Sequence, residues 1–491
     1  MAGKKIIIIG SGFAGLSAAC FMAKNGWEVS VIEKNSTPGG RARQLKEAGF
    51  TFDMGPSFYW MPDVFERFFL QFDRKISDYY SLTRLDPSYR IYWETGHTDM
   101  PADFISLKSV FESLELGSSK KLESYLRGAK YKYETGVNNL VYKPGQSISE
   151  FLDWQVIKGV FKLDVFTSIS SHIKKYFKHP HLRQIMEFPV LFLGALPQNT
   201  PALYSLMNYA DIMGGTWYPA GGMYSVVNAM YKLAVELGAE FHFDEEVIEI
   251  AIDKSTAKKV ITKKEIYEAD AVISNADYHF TENKLIPEKY QQYSNDYWDK
   301  RVMAPSCLMY YVGLNKKLKQ LPHHLLFFDT SFEQHGKEIY KNPDWPSEPL
   351  FYVSVSSMTD LSVAPGGCEN IVFLIPIASG LGGDSEELRE QYFKTIVRRM
   401  EQKIGEPIMD SVIYKKTYSV SDFMIDYNSF KGNAYGLANT LKQTAVLRPS
   451  CRSKKVKNLF YTGQLTVPGP GVPPSLISGE VVAEQVIKAF K

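Results

Sequence analysis

Three glycines near the start of the chain have the spacing of a phosphate-binding turn. The apolar run Lys5–Ile9 leads into GSGFAG at residues 10–15, and a stretch rich in Ala, Leu and Met follows. Gly10 permits a tight turn, Gly12 lets the backbone approach a pyrophosphate, and Gly15 lets a helix pack closely on the strand. The N-terminus of that helix would face the negative charge. This spacing predicts the binding of a dinucleotide.

An acidic residue stands where the ribose of such a ligand would lie. A second strand, Val29–Ile32, ends at Glu33. An acid about 20 residues after the glycine turn accepts hydrogen bonds from a ribose. A glycine motif alone is weak evidence, but strand, motif, helix, second strand and acid in this order predict a nucleotide-binding βαβ unit.

A second glycine pair follows the acid and carries an arginine. Residues 34–43 read KNSTPGGRAR. Gly39 and Gly40 allow another close approach of the backbone, and Arg41 offers a planar fork of donors to phosphate oxygens. The alternative is a Pro-Gly-Gly turn with a solvated arginine.

The other end of the chain contains a loop built for close contact. Residues 458–479 read NLFYTGQLTVPGPGVPPSLISG, which predicts a strand, a turn-rich loop and then a helix through Glu480 to Phe490. Its prolines and glycines would make the loop rigid and able to pass close to a planar ligand. The alternative is a plain surface connection.

Taken in order, these motifs resemble those of the bacterial-type phytoene desaturases. These are carotenoid desaturases among the FAD-dependent oxidoreductases of the amine oxidase superfamily. The resemblance runs over essentially the whole chain. The segments that carry it, besides the glycine turn, are Gly39–Arg41, Phe52–Ser57, Gly215–Met223, Asp360–Gly366, Leu447–Pro449 and the C-terminal loop.

The resemblance implies FAD as the cofactor and indicates which residues surround it. It implies that the C-terminal loop and the following helix N-terminus cover the isoalloxazine, and that the backbone near Val247 meets the adenine. No catalytic residue and no metal ligand is assigned. The implied cofactor-binding residues are Gly10, Gly12, Phe13, Ala14, Gly15, Glu33, Lys34, Gly39, Gly40, Arg41, Gly55, Pro56, Ser57, Val247, Asn275, Gly463, Gln464, Gly471, Val472 and Pro473.

The activity that the resemblance implies is carotenoid desaturation. A hydride passes from phytoene to the flavin and a neighbouring carbon loses a proton, in carotenoid biosynthesis. Alternatives are a hydroxycarotenoid desaturase, a retinoid saturase, an amine-oxidase-like flavoprotein and, more remotely, a non-enzymatic prenyl-protein escort with the same fold. Since the sequence carries no second dinucleotide motif, we expect oxygen or a quinone, rather than NAD(P)⁺, as the final acceptor.

The predicted fold is of the α/β (α+β mixed) class. At 491 residues the chain exceeds the size at which single cores stop growing. We expect a discontinuous Rossmann-type FAD-binding domain from residues 1–60, 223–278 and 415–491. Residues 61–142 and 279–414 would form an interleaved substrate domain, with Leu308–Leu314 and Leu350–Val355 as strands along its cavity. A helical section at 143–222 is expected to face a membrane.

Composition excludes several other classes of protein. The net charge of +2 and the absence of a long Lys/Arg block argue against nucleic-acid binding. The four cysteines are scattered without a Cys-x-x-Cys pair, so we expect neither a metal knuckle nor a disulfide framework. The sequence gives no prediction of the oligomeric state.

A membrane surface is the expected location of the substrate. No apolar run reaches the roughly 18 residues needed to cross a bilayer, and no secretory signal is recognised. Residues 151–177 carry apolar residues at four-residue spacing with lysines between them, which is typical of an interfacial helix. The alternative is a core-packing helix with a solvated basic face. Because phytoene resides in lipid, we expect a cytoplasmic protein bound peripherally to the inner face of the cell membrane.

Overall fold

The computed structural model describes residues 3–147, 150, 167–191 and 194–491. Its strands are β1 Lys5–Ile9, β2 Glu28–Ile32, β3 Gln44–Glu47, β4 Phe50–Asp53, β5 Leu82–Arg84, β6 Tyr89–Trp93, β7 His97–Met100, β8 Trp217–Pro219, β9 Glu240–His242, β10 Val247–Asp253, β11 Thr256–Thr262, β12 Ile266–Glu268, β13 Ala271–Ser274, β14 Ser306–Leu314, β15 His324–Phe328, β16 Phe351–Ser354, β17 Glu369–Ile377, β18 Val412–Tyr418 and β19 Leu459–Tyr461.

The helices of the described residues alternate with these strands. They are α1 Phe13–Lys24, α2 Pro62–Leu70, α3 Phe104–Leu114, α4 Ser118–Thr135, α5 Ile169–Lys174, α6 Pro180–Leu191, α7 Leu206–Ile212, α8 Tyr224–Glu236, α9 Tyr278–Phe280, α10 Asn295–Asp299, α11 Phe332–Tyr340, α12 Glu386–Ile404, α13 Val420–Tyr427 and α14 Val472–Phe490.

A parallel sheet of five strands, in the order β19-β13-β1-β2-β9, is built around the first strand of the chain. Its isoleucines are buried on both faces: Ile6 and Ile8 belong to one core cluster, Ile7 and Ile9 to another. A continuous run of β-branched residues, rather than an alternating one, is typical of a strand covered on both sides. The predicted βαβ unit is present as β1, α1 and β2.

The last helix of the chain packs on the first. The Ser17 hydroxyl of α1 donates to the carbonyl of Leu476 in α14 at 2.8 Å. A Cβ at Gly479 would lie 2.4 Å from the carbonyl oxygen of Ala14, so the two backbones are in direct contact. The helix predicted through Glu480–Phe490 begins earlier than expected. Prolines are tolerated in a first helical turn, where backbone N–H groups have no partner in the helix.

A seven-stranded mixed sheet, in the order β18-β14-β17-β16-β15-β6-β7, forms a second layer. It contains the two strands predicted along the cavity, which are β14 and β16. Because side chains alternate between the faces of a sheet, it separates two cores. Leu308 and Tyr310 pack in a cluster with α12, while Cys307 and Met309 face the main core.

The α/β class of the prediction is confirmed, and the domain bounds stay a prediction. The parallel sheet takes its strands from all three ranges assigned to the FAD-binding domain. Strand β18 lies across the predicted boundary between residues 414 and 415 and pairs with β14. A polar turn with Asp244 at φ +53° separates β9 from β10.

The predicted interfacial segment, residues 151–177, is described only from residue 167 onward. There Ile169, Ile173 and Phe177 are completely buried in the main core, whereas Lys174 and Lys175 are exposed. This part of the segment is therefore a short core-packing helix. Apolar residues at four-residue spacing form one face of a helix, whether that face packs against lipid or against protein. Within the described residues, no helix is long and apolar enough to cross a membrane.

The close packing of the seven-stranded sheet predicts a large effect at Gly313 of β14. A Cβ there would lie 2.4 Å from the ring of Phe50. Gly313→Val should lower the free energy of unfolding by about 1–3 kcal/mol, the usual cost of overpacking. Urea denaturation followed by circular dichroism measures it. The control is Gly128→Ala on the exposed side of α4, where nothing lies within 4 Å; equal stability of the two variants would contradict this packing.

Candidate functional site

One large cavity lies where strands β1, β13 and β19 end. Its volume is about 460 Å³, and it extends from the glycine turn to the seven-stranded sheet. The carboxyl ends of parallel strands are where ligands bind in open α/β sheets. Of the implied cofactor-binding residues, all but Gly15 line it: Gly10, Gly12, Phe13, Ala14, Glu33, Lys34, Gly39, Gly40, Arg41, Gly55, Pro56, Ser57, Val247, Asn275, Gly463, Gln464, Gly471, Val472 and Pro473.

Two glycine loops touch in the wall of this cavity. The N–H of Gly39 donates to the carbonyl of Ser11 at 2.9 Å. A Cβ at Gly40 would lie 3.3 Å from the Cα of Gly12, and both Gly39 and Gly40 have positive φ angles of 114° and 54°. Backbone conformations of this kind strongly favour glycine. The two motifs found separately in the sequence therefore form one surface without side chains.

Gly15 lies behind the cavity wall. A Cβ on this residue would be 2.1 Å from the carbonyl oxygen of Gly10, which real side chains cannot reach. Its place agrees with the packing role that the motif predicts, since only glycine lets α1 begin so close to the turn at the end of β1.

Glu33 lies in the wall with its carboxylate already engaged. One oxygen accepts from the N–H and the hydroxyl of Ser11, at 2.8 and 2.7 Å. The other accepts from the N–H and side-chain amide of Asn35, both at 2.9 Å. A carboxylate offers about four acceptor positions, so a ribose hydroxyl would have to share or replace one of these bonds. Ser11 and Asn35, which the motif did not single out, therefore fix the position of this carboxylate.

Arg41 is a half-buried cation with an unused donor. Its terminal nitrogen donates to the Ser429 hydroxyl at 2.9 Å and the Asn433 carbonyl at 3.3 Å. The Nε atom is buried and has no hydrogen-bond partner. Burial lowers the pKa of Arg41, and the neighbouring Asp277 opposes that shift. An arginine with a spare N–H in a cavity wall suits an anionic group such as a phosphate.

Asn275 joins the glycine turn to the C-terminal loop. Its side-chain amide donates to the carbonyl of Gly10 at 3.2 Å, and a Cβ at Gly463 would lie 3.1 Å from its oxygen. The N–H of Gly463 donates to the Ser478 hydroxyl at 3.0 Å. Helix α14 then starts after Gly471, so its N-terminal residues Val472 and Pro473 face the cavity.

The remaining predicted residues line the cavity from other elements. A Cβ at Gly55 would lie 2.2 Å from the carbonyl oxygen of Arg41, and Pro56 and Ser57 follow it along the wall. Val247 is buried at the start of β10. Lys34 forms a 3.7 Å ion pair with Glu246, both partly exposed, which contributes little to stability.

The other half of the cavity is apolar and was not predicted residue by residue. The cavity-facing side of the seven-stranded sheet supplies Met309, Leu326, Phe328, Tyr352 and Leu374. The facing wall is made by Phe58, Trp60, Met61, Phe188, Leu196 and Met207. The alternation of residues along β14–β17 was the signal available, but only strand pairing decides which face meets the cavity.

The one histidine among the described cavity residues is fixed as a neutral ring. His335 is buried, and its pKa is lowered to about 4 by burial. Its Nε2 bonds to the Pro376 carbonyl at 2.8 Å, and its Nδ1 accepts from the Leu350 N–H at 3.0 Å. A carbonyl only accepts and an amide N–H only donates, so the proton is on Nε2. His335 is therefore not placed to take a proton from a substrate.

The two halves of the cavity suit two ligands that meet. The glycine-walled half, with its close backbone and the spare N–H of Arg41, fits the phosphates and planar ring of FAD. None of the carboxylates in the described cavity wall lies on the sheet strands of the apolar half. These carboxylates belong to Glu33, Glu245, Glu246, Asp277 and Asp426. Among the described residues, that half therefore offers no carboxylate to a cationic amine, and it suits a long hydrocarbon.

Comparisons with known proteins agree with this arrangement. The flavin containing amine oxidoreductase family matches residues 13–487. The carotenoid 3,4-desaturase of Haloarcula japonica is 41% identical over 490 residues, 99% of each chain. The zeta-carotene-forming phytoene desaturase of Myxococcus xanthus is 30% identical over 494 residues, 99% of this chain and 94% of that protein.

A solved structure has the same fold. The crystal structure of an oxidoreductase from Methanosarcina mazei matches with a TM-score of 0.66, over 98% of this chain and 100% of that one, at 17% identity. Sequence and fold agree, and the chain belongs to the flavin containing amine oxidoreductase family, within its carotenoid desaturases.

Proposed function

We propose that this protein introduces a double bond into a carotenoid that lies in the apolar half of the cavity, beside FAD in the glycine-walled half. The protein is an FAD-dependent oxidoreductase that acts on CH–CH groups. The observation that supports the proposal is a single cavity whose one end suits a dinucleotide and whose other end suits a hydrocarbon. Carotenoid desaturation needs these two ligands in contact.

The position of the new double bond is proposed from the relatives. The relative at 41% identity is a 3,4-desaturase, and the phytoene desaturase described above is 30% identical. We therefore place 3,4-desaturation of a carotenoid first. Desaturation of phytoene, which the resemblance to phytoene desaturases implies, is the second candidate.

The chain's own residues contribute binding, orientation and exclusion of water. FAD, when bound, supplies the hydride acceptor, which no amino-acid side chain can provide. Phe58 and Trp60 on one wall and Leu326 and Phe328 on the sheet hold the carbon chain by burial, worth about 25 cal/mol per Å² relative to water. With both nitrogens of His335 engaged, no cavity histidine among the described residues takes the proton.

We propose peripheral membrane binding because a carotenoid substrate is dissolved in the lipid bilayer before it reaches the protein. A carotenoid in a lipid tail region is already in apolar surroundings, so its transfer into an apolar cavity gains no hydrophobic free energy. A route through water would expose its whole apolar surface, so we expect the substrate to enter directly from the membrane. Lysines near an anionic surface contribute about 1 kcal/mol each. Lys174 and Lys175 are exposed at the end of α5, while Lys158 and Lys162 lie outside the described residues.

The glycine loops predict how FAD binding fails. Gly12→Val should abolish retention of FAD, because its side chain would enter the space between Asn275 and the second glycine loop. Glu33→Ala should weaken retention less, since other contacts remain. Flavin absorbance after gel filtration measures both, with Gly128→Val on the exposed side of α4 as the control. Equal flavin content in Gly12→Val and the parent would contradict the assignment of this cavity.

Turnover in liposomes tests substrate and acceptor together. The FAD-loaded protein should convert a more unsaturated acyclic carotenoid at its 3,4 bond faster than it converts phytoene. We expect anaerobic turnover with a quinone and none with NAD⁺ alone. Chromatography of the products gives bond position and rate. If neither substrate changes under oxygen or quinone, carotenoid desaturation itself is refuted.

Charge reversal in two pairs tests the membrane proposal. Glutamates at Lys158 and Lys162, or at Lys174 and Lys175, should each reduce flotation with anionic liposomes without lowering FAD content. The apolar residues of α5, the helix that ends at Lys174, are buried in the protein core. We therefore expect reversal of Lys158 and Lys162 to reduce flotation more than reversal of Lys174 and Lys175. Salt at about 0.1 M, which screens charges beyond about 10 Å, should mimic the variants. Parent-like flotation of both variants would move the docking surface elsewhere.

A further inference from the structure

Arg448 is a buried cation that no carboxylate neutralises among the described residues. Its side chain makes five hydrogen bonds, and every acceptor is neutral. Nε donates to the carbonyl of Thr466 at 2.8 Å, and the terminal nitrogens donate to the amide oxygen of Asn439 at 2.7 Å and the carbonyl of Gln464 at 2.9 Å. The remaining bonds go to the carbonyls of Leu437 and Gln443, at 3.3 and 3.1 Å.

Two partly buried arginines elsewhere in the chain, Arg389 and Arg399, are instead paired with carboxylates. Arg389 lies 2.7 Å from Asp384, and Arg399 forms an ion pair with Asp329. Burial lowers the pKa of Arg448 to about 10, which still leaves the guanidinium charged at neutral pH. An ion held by neutral dipoles keeps most of its electrostatic field, whereas an ion pair cancels it.

The position of this charge is directly behind the C-terminal loop. Gln464, one of its acceptors, lines the cavity. A Cβ at Gly469 would lie 3.4 Å from the guanidinium carbon, so the backbone of the loop rests on the cation. The same loop continues to Pro470 and Gly471 in the cavity wall. The charge is thus one backbone layer from the space assigned to the flavin.

We propose that Arg448 tunes the bound flavin electrostatically and raises its reduction potential, besides fixing the shape of the loop that covers it. Arrival of a hydride adds negative charge to the ring system, and a fixed cation in a water-poor site stabilises that charge. A higher potential favours removal of a hydride from a hydrocarbon. The inference rests on the proposed function, because it requires FAD in this cavity.

Asn439 allows the charge to be cancelled without removing the arginine. Asn439→Asp keeps the shape and the 2.7 Å acceptor of Arg448 but places a carboxylate against it. We expect the flavin potential to become more negative by about 30 mV or more, a tenfold change in the equilibrium constant of a two-electron couple. Asn439→Ala loses the same hydrogen bond without adding charge, and its potential should stay near that of the parent.

The potentials are measured by anaerobic reduction against a reference dye, which needs no carotenoid. A parent-like potential in Asn439→Asp would overturn the role of Arg448. Should Asn439→Asp lose its flavin, the comparison is made with Arg448→Lys and Arg448→Met, both reconstituted with excess FAD. We expect a more negative flavin potential in the Met variant and a parent-like potential in the Lys variant. Equal potentials of the two variants, or failure of both to bind FAD, would refute the role of Arg448. A parent protein that binds no flavin contradicts the proposed function instead.

Discussion

The structure depends on backbone approaching backbone at places where no Cβ fits. Gly15 lets α1 start against the turn at Gly10, with only 2.1 Å between a hypothetical Cβ and that carbonyl oxygen. Gly479 does the same for α14 against α1, at 2.4 Å from the carbonyl oxygen of Ala14. These contacts bring the two ends of the chain together. The C-terminal loop, which leads into α14, is positioned by this glycine-mediated packing.

The second constraint is the period of two along the strands of the large sheet. Leu326 and Phe328 face the cavity, and Leu325 and Phe327 face the cluster below α12. One sheet can therefore close a domain core on one side and offer a binding surface on the other, using apolar residues throughout. The parallel pairing of β15 with β6 adds a segment from early in the chain to this sheet. The apolar half of the cavity is thus a by-product of long-range strand pairing.

The glycine contacts depend on local sequence motifs, whereas the apolar wall depends on long-range strand pairing, and only the former could be predicted from the sequence. The position of the glycine motifs, Glu33 and Arg41 in the cavity wall was predictable from the sequence. Few other structures require these residue types at this spacing. The apolar wall was not, since Met309 or Leu374 would be equally suitable in any core. The start of α14 at Val472 was missed because Pro473 and Pro474 suggest a loop as readily as a first helical turn. Ile169 and Ile173 show the same limit: helical spacing identifies an apolar face but not its partner.

Two buried charges near the cavity, those of Glu33 and Arg448, are held by neutral groups. Glu33 is satisfied by N–H and O–H donors of Ser11 and Asn35, and Arg448 by carbonyls and an amide oxygen. Away from the cavity, Arg389 meets a carboxylate directly. Burying an ion with neutral partners costs desolvation that a salt bridge would partly offset. That cost is tolerable where the field acts on a ligand, because preorganised charges need no rearrangement when the charge of the ligand changes.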